Sequence, residues 1–459
     1  MNDIKFTKTN GGMGRKAANE DPVSGLIMTM AELDDATLNA PGSQRQFDPV
    51  TVGTSTTNHH LHIAKLNYPE QLEQYGIVEE ELSTLVLDYG SLTQADAFKK
   101  RAAKNALVYH VKEFFRMNEG GTLYLGIIGK MTTQAYPSGN DVKALQNYAN
   151  GSIRQCGVVL NGLSDTGMTD LQLACLELEA AHKPLSVVAT TSGVTWTVTV
   201  PSGGTPTSST EFSFSHTVST NCTLSSLTGS NFIVTAPDDT KPARCNVSLL
   251  VGCDLDASVF AKVGHYANVG CIGACIGAVS KAAVNECIAW VQKFPLGLNS
   301  PGLIGGELIR EVSSEDQELI NENRYIFVIT HVGDANNYFN DSHTCDAATS
   351  DYAFIENVRT IDKACRGVRA NLLPYLNSPL KVDAETGKLD APMVAFLETT
   401  AGKALEDMEK AGELSGYRVE IDPEQNVIST SNLEIIIKNV PMGVMRKVNV
   451  KIGFTTALN

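Results

Sequence analysis

The sequence predicts a multidomain α/β (α+β) protein, and three observations carry that prediction. Short apolar runs alternate with helical periodicities through the first two thirds of the chain, the pattern of βαβ units that build a mostly parallel sheet covered on both faces. A Ser/Thr/Gly-rich stretch interrupts this pattern, and Glu211 is its only formal charge between Ser186 and Ala236. Beyond residue 300 a second α/β series begins. At roughly 150 residues per domain, the 459 residues leave room for about three domains, one of them inserted into another.

Taken in order, the residues from about 94 to 117 read as a long helix, opened by Thr93 with Asp96 three positions on, a weakened capping box. Residues 122–128, 156–160, 185–189 and 247–251 are short apolar strands, with helical patterns at 141–149 and 169–181 between them. Within the interruption, 196–200 and 212–218 alternate apolar and polar residues as half-buried strands do. Gly203-Gly204-Thr205-Pro206 and Thr228-Gly229-Ser230-Asn231 supply turn chemistry. This stretch is expected to be a small all-β, immunoglobulin-like domain. Residues 263–280 carry no formal charge but contain four glycines, His265 and Asn268, and read as buried Gly-rich backbone feeding a helix. A membrane span would need about 20 predominantly apolar residues.

In the C-terminal third, 325–332 reads as a strand. A helix is expected over 351–373, where Phe354, Val358, Ile361, Cys365, Val368 and Leu372 recur at alternating spacings of four and three, ending before Pro374. A second helix over 391–411 carries Met393, Leu397, Ala401, Ala404 and Met408 on one face. Strands follow at 417–421, 433–438 and 444–454. The last places Val448, Val450 and Ile452 on one side and Lys447, Asn449 and Lys451 on the other.

Composition excludes several functions. Acidic residues outnumber basic ones by 51 to 36, a formal net charge of −15, whereas a nucleic-acid binder shows a basic surplus that releases counterions from phosphate. The 42% hydrophobic and 19% charged residues belong to a folded chain. The N-terminus lacks the apolar run of a signal peptide, so folding in the cytosol is expected. No phosphate loop, HExxH, GxSxG or GxGxxG motif is present: Gly129-Lys130 lacks the glycine at the required distance and is followed by Met131.

Ten cysteines without a CxxC pair read as buried reduced thiols. Cys271 and Cys275, one helical turn apart, could serve a metal but have no second pair nearby, and Cys222 with Cys245 is the one pair where a bridge can be drawn. His59, His60 and His62 are the metal-like cluster, with ordinary strand surface as the alternative reading, since no further ligands advertise themselves. No cofactor and no catalytic residue is expected. Arg359, Lys363, Arg366 and Arg369 form a cationic helix face in an acidic protein: either a partner contact or a solvated face neutralised by Glu356 and Asp362. At the ends of the chain, Ile4 and Phe6 sit in a short strand before the turn at 10–14, and Val448, Val450 and Ile452 in the last one. A terminal strand can add itself to a neighbour's sheet edge, and two such ends make a polymer.

The residues that carry a family resemblance are Lys8-Thr-Asn-Gly-Gly-Met-Gly-Arg15 with Glu20-Asp-Pro-Val-Ser-Gly-Leu26; Ala278-Val-Ser-Lys-Ala-Ala-Val-Asn-Glu286 with Trp290-Val-Gln-Lys-Phe294; Ala348-Thr-Ser-Asp-Tyr-Ala353; Val358-Arg-Thr-Ile-Asp-Lys363; Leu372-Leu-Pro-Tyr-Leu-Asn-Ser-Pro379; Ile421-Asp-Pro-Glu-Gln-Asn-Val427; and Val440-Pro-Met-Gly-Val-Met-Arg446. With these the chain resembles contractile phage tail sheath proteins of the Mu-like and Bacteroidetes phage type, over most of its length except the inserted β domain. The resemblance implies a helical homopolymer of stacked rings around an inner tail tube protein, bounded by baseplate and tail terminator proteins, with no direct nucleic-acid contact and no membrane insertion. It implies assembly in the host bacterial cytoplasm and residence in the virion tail. On this reading Ile4, Phe6, Val448, Val450 and Ile452 link neighbours by strand addition, and Arg359, Lys363, Arg366 and Arg369 are candidates for a transient tube contact. The expected organisation is an N-terminal linking arm at 1–25, a discontinuous α/β middle domain at 26–185 and 241–300, an inserted β-sandwich at 186–240, and a C-terminal α/β domain at 301–459. The competing expectation is an α/β enzyme carrying a carbohydrate-binding β domain.

Overall fold

The computed structural model describes residues 21–39, 43–53, 58–82, 94–199, 213–232, 245–383 and 387–454. The chain starts with β1 (Val23–Thr29), α1 (Asp35–Leu38), β2 (Asp48–Val52), β3 (His59–Leu66), α2 (Gln71–Gln74), α3 (Gln94–Met117) and β4 (Thr122–Ile128). It continues with α4 (Gly139–Tyr148), β5 (Gln155–Leu160), α5 (Asp165–Ala180), β6 (Ser186–Thr191), β7 (Val194–Thr199), β8 (Ser213–Val218), α6 (Leu224–Gly229) and β9 (Val247–Leu250). Then come β10 (Gly252–Asp254), α7 (Ala257–Val263), α8 (Ile272–Lys281), β11 (Pro301–Leu303), α9 (Ser314–Glu322), β12 (Tyr325–Ile326), β13 (Val328–Thr330) and β14 (Asn337–Phe339). The last elements are α10 (Ile355–Leu372), α11 (Ala391–Lys410), β15 (Leu414–Glu420), α12 (Val427–Thr430) and β16 (Ile436–Pro441).

An eight-stranded sheet in the order β12-β9-β6-β5-β1-β4-β3-β2 organises the molecule. The strands from β12 to β4 run parallel, while β3 and β2 add an antiparallel edge. Successive side chains of a strand point to opposite faces. Leu26 and Met28 of β1 therefore join one core with Leu107 and Phe114 of α3 and Ile276 of α8, and Ile27 joins the other with Val142 of α4 and Leu171 of α5. This is the multidomain α/β class that the alternating pattern predicts. The Gly-rich segment is a buried helix, α8, as expected. It crosses α3 so closely that a Cβ on Gly273 would lie 2.1 Å from the His110 carbonyl oxygen, and one on Gly277 would lie 2.7 Å from that of Phe114.

Four sequence expectations change. β6 joins the large sheet, as the apolar strand read at 185–189 implies, but the excursion after Thr191 contains the antiparallel hairpin β7/β8 and then a helix, α6, where only strands were expected. The Thr223 hydroxyl accepts from the Ser226 amide and caps α6, while Leu227 is buried and Asn323 ties down the Leu227 and Thr228 carbonyls. Ser/Thr side chains serve helix caps as readily as strands. The turn at 203–206 lies outside the described residues.

The strand expected over 325–332 breaks at Phe327, whose amide donates to Asn340 Oδ1 and whose carbonyl accepts from the Asn340 amide. The β12 half pairs with β9 in the large sheet, the β13 half with β14.

On α10 the apolar stripe is only partly the buried face: Val358 is fully buried and Phe354 half-buried. Ile361, Val368 and Leu372 are half-buried and Cys365 is exposed, whereas Ile355, Glu356, Val358, Arg359, Thr360, Asp362 and Ala364 are buried. Charges go inside because their partners are inside. The C-terminal layer is completed by α11 and the antiparallel pair β15/β16, with Val284, Ala364, Leu405, Met408 and Leu414 as its core. Residues 444–454 form no strand: the alternating pattern is there, but no ladder partner is among the described residues.

Candidate functional site at the roots of the terminal segments

The first described residues are held at the centre of the molecule. The Pro22 carbonyl accepts from the Thr122 amide at 3.1 Å and from the Ser280 hydroxyl at 3.1 Å, and Gln155 Nε2 donates to the Asp21 carbonyl at 3.0 Å. From here the chain enters β1, between β4 and β5. The Asp21 carboxylate is bound by Lys363 Nζ at 2.8 Å and Arg366 Nη2 at 3.5 Å, and Lys363 reaches Glu413 Oε1 at 2.5 Å. Two of the four cations expected to face a partner thus hold the start of the chain's own β1.

The other end is tied to the same helix. Arg446 Nε donates to both Asp341 carboxylate oxygens, at 2.9 and 3.1 Å, and Nη2 to Glu356 Oε1 at 2.5 Å. Its guanidinium lies 3.5 Å from the centroid of the Phe354 ring, a cation–π contact added to a charge-assisted fork. Glu356 is 2% exposed and also accepts from the Ser342 hydroxyl at 2.5 Å. Burial raises the Glu356 carboxyl above its ordinary value, although Arg446 and Ser342 favour its ionised form. Burial would raise Asp341 as well, but the hydrogen bonds and charge of Arg446 bring it below the usual aspartate range. Burial works against the charge on Arg446, and Glu356 and Asp341 together more than offset it. Nearby His343 is pushed down to about 4 by burial.

Past this anchor the side chains turn to solvent: Val448, Val450, Ile452 and Phe454 are exposed, Ile452 at 95%. Residues 448–454 therefore present an apolar row that no described residue covers, rooted at the Arg446 anchor.

The expected site residues separate accordingly. Ile4 and Phe6 lie outside the described residues. Val448, Val450 and Ile452 are displayed. Arg359, expected on an outer face, is 4% exposed, and its Nη1 donates to the carbonyls of Ala282 and Ala283 at 3.1 and 3.3 Å. Burial lowers it to about 10, against the pull of Asp21. Lys363 and Arg366 are engaged by Asp21, and Arg369 is exposed. The four do not share an outer face. Sequence reasoning missed Arg446, Asp341 and Asp21. Glu356 was noticed only as a neutralising charge, yet a carboxylate next to Ile355 at an apolar helix start was the available signal.

The histidine cluster is divided among acids. His59 Nε2 lies 2.6 Å from Asp141 and His62 Nε2 3.1 Å from Asp35, while His60 stands exposed beside Thr51. Among the described residues no group of three or more His, Cys, Asp or Glu side chains could hold a metal ion. All ten cysteines are free thiols, Cys222 and Cys245 included, and only Cys365 is exposed. No described helix is long and apolar enough to cross a membrane.

Residues 351–459 match the family described as DUF2586, C-terminal domain. The matched region contains α10, the helix that holds both roots, and the exposed terminal row. No curated protein sequence matches the chain. Among solved structures, a chain of the anti-feeding prophage (AFP) baseplate shares the fold with a TM-score of 0.50 at 13% identity, over 100% of this chain and 99% of that one. A chain of the contracted sheath complex of the extracellular contractile injection system PVC aligns over 100% and 98% with a TM-score of 0.45 and 11% identity.

Proposed function

We propose that the chain is a structural, non-enzymatic subunit of a contractile injection system, and within it a sheath subunit that polymerises helically around an inner tube and contracts to drive that tube through a bacterial envelope. The observation that carries this reading is the anchored terminal row: Arg446 fixes the root, and Val448, Val450, Ile452 and Phe454 beyond it are bare of cover. An apolar alternating segment without a ladder is completed by a sheet edge on another chain. The fold shared with a baseplate chain over both full lengths and the sequence resemblance to tail sheaths support the same direction. Strand linkage between neighbours would survive contraction while lateral contacts between bodies exchange. On this proposal the partners are further copies, a tube protein, a baseplate and a tail terminator, and the particle is assembled in the host cytoplasm.

The name of one structural neighbour favours a second reading, a baseplate component that forms a closed ring and stops. Negative-stain electron microscopy of the purified chain separates the two. Long hollow tubes or stacked rings are expected for the sheath, single closed rings for the baseplate component. Monodisperse particles at high protein concentration would overturn both and favour the α/β enzyme.

A further inference from the structure

We propose that Arg359 joins the roots of the two terminal segments into one electrostatic unit, so that releasing either segment loosens the hold on the other. Both roots are tied to α10: Glu356 holds Arg446 at one end, and Lys363 and Arg366 hold Asp21 further along. Ten residues separate Glu356 from Arg366, about 15 Å of helix. Arg359 lies between them, buried, with Nη1 on two carbonyls and Nη2 without a hydrogen-bond partner among the described residues. On α10 it stands one turn from Glu356 on one side and from Lys363 on the other, the spacing at which helix side chains are neighbours, and the charges of Asp21, Arg366, Glu356 and Glu413 act on it. Charges this deep are screened far less by salt than surface pairs are.

The sign follows from charge balance. Neutralising Asp21 leaves Arg359, Lys363 and Arg366 in surplus, so Arg359 turns its charge towards Glu356 and competes with Arg446 for it. Removing Arg446 leaves Glu356 and Asp341 in surplus, which draws Arg359 away from Asp21. Each loss weakens the opposite root, and because the effect is a binding linkage it is reciprocal. It is a property of the single chain and holds whether or not the chain assembles.

The test is limited trypsin digestion of the full chain under native conditions, following cleavage after Lys447, the bond beside the Arg446 anchor, relative to cleavage after the already exposed Lys451, as a measure of how often the C-terminal root opens. Arg446→Ala sets the rate of the released state. Asp21→Asn, with no contact to Arg446, is expected to raise the wild-type rate about fivefold, the low end of couplings between sites. Arg359→Lys, which keeps the charge, is expected to preserve that response. Conversely, Arg446→Ala is expected to speed amide exchange at residues 23–25. A wild-type cleavage rate in Asp21→Asn would overturn the proposal, as would an equal acceleration by Lys143→Gln, which removes an exposed ion pair to Glu177 elsewhere on the surface.

Discussion

Arg446 and Glu356, ninety residues apart in the chain, meet at 2.5 Å between Nη2 and Oε1. One partner belongs to the last stretch of the chain, the other to the first turn of α10. The contact explains why an otherwise uncovered segment leaves the molecule from a fixed point.

Losing the arginine should cost more than an ordinary surface pair. Arg446→Ala strands Glu356 in a buried site, and breaking a buried pair from one side typically costs 3–5 kcal/mol. With the arginine itself 27% exposed, about 3 kcal/mol is expected, read as a lowered urea midpoint. Glu356→Gln, which can keep the Ser342 hydrogen bond, should cost less.

Acidification should weaken the fold in a defined window. His110 and His343 are both held down to about 4 by burial. Between their ordinary value near 6.5 and about 4 the unfolded chain takes up protons that the folded chain refuses, so stability falls as pH falls through that range. At about 1.4 kcal/mol per unit this amounts to at most about 3 kcal/mol for each histidine. Asp341, held below its ordinary value, adds a loss only at lower pH, whereas Glu356, held above its own, acts in the opposite sense. Urea midpoints at pH 7, 5.5 and 4.5 should show the decline, and His110→Gln should flatten it. An unchanged slope would refute the assignment.

The α3/α8 crossing should reject a single methyl group. Gly273→Ala places a carbon against the His110 carbonyl, and overpacking of this kind costs about 1–3 kcal/mol even after side chains adjust. Because the obstacle is backbone, the upper part of that range is expected, visible as a drop in thermal midpoint. Gly443→Ala, with nothing within 4 Å, should be neutral.

The exposed row should matter to assembly alone. Val450→Asp with Ile452→Asp alters solvent-facing positions, for which stability changes stay within about 0.5 kcal/mol. The urea midpoint should hold while tubes disappear from electron micrographs. Persistent tubes would remove these residues from the linkage.

The sequence by itself determined the layered α/β plan, because strand and helix periodicities are local. The residues 94–117 and 122–128 were read with the bounds they have in the structure, and the segment with Gly273 and Gly277 was legible as buried Gly-rich backbone feeding a helix, while its close approach to α3 was not. It also determined that 444–454 has the pattern of a strand. Only the tertiary structure decided that this pattern finds no ladder partner among the described residues, and that Arg359, Lys363 and Arg366 look inward. The reason is physical: periodicity reports which side chains share a face, but whether a charged face is buried depends on the acids that arrive from elsewhere. Asp21 and Arg446 come from opposite ends of the chain to α10, and no spacing on that helix announces them.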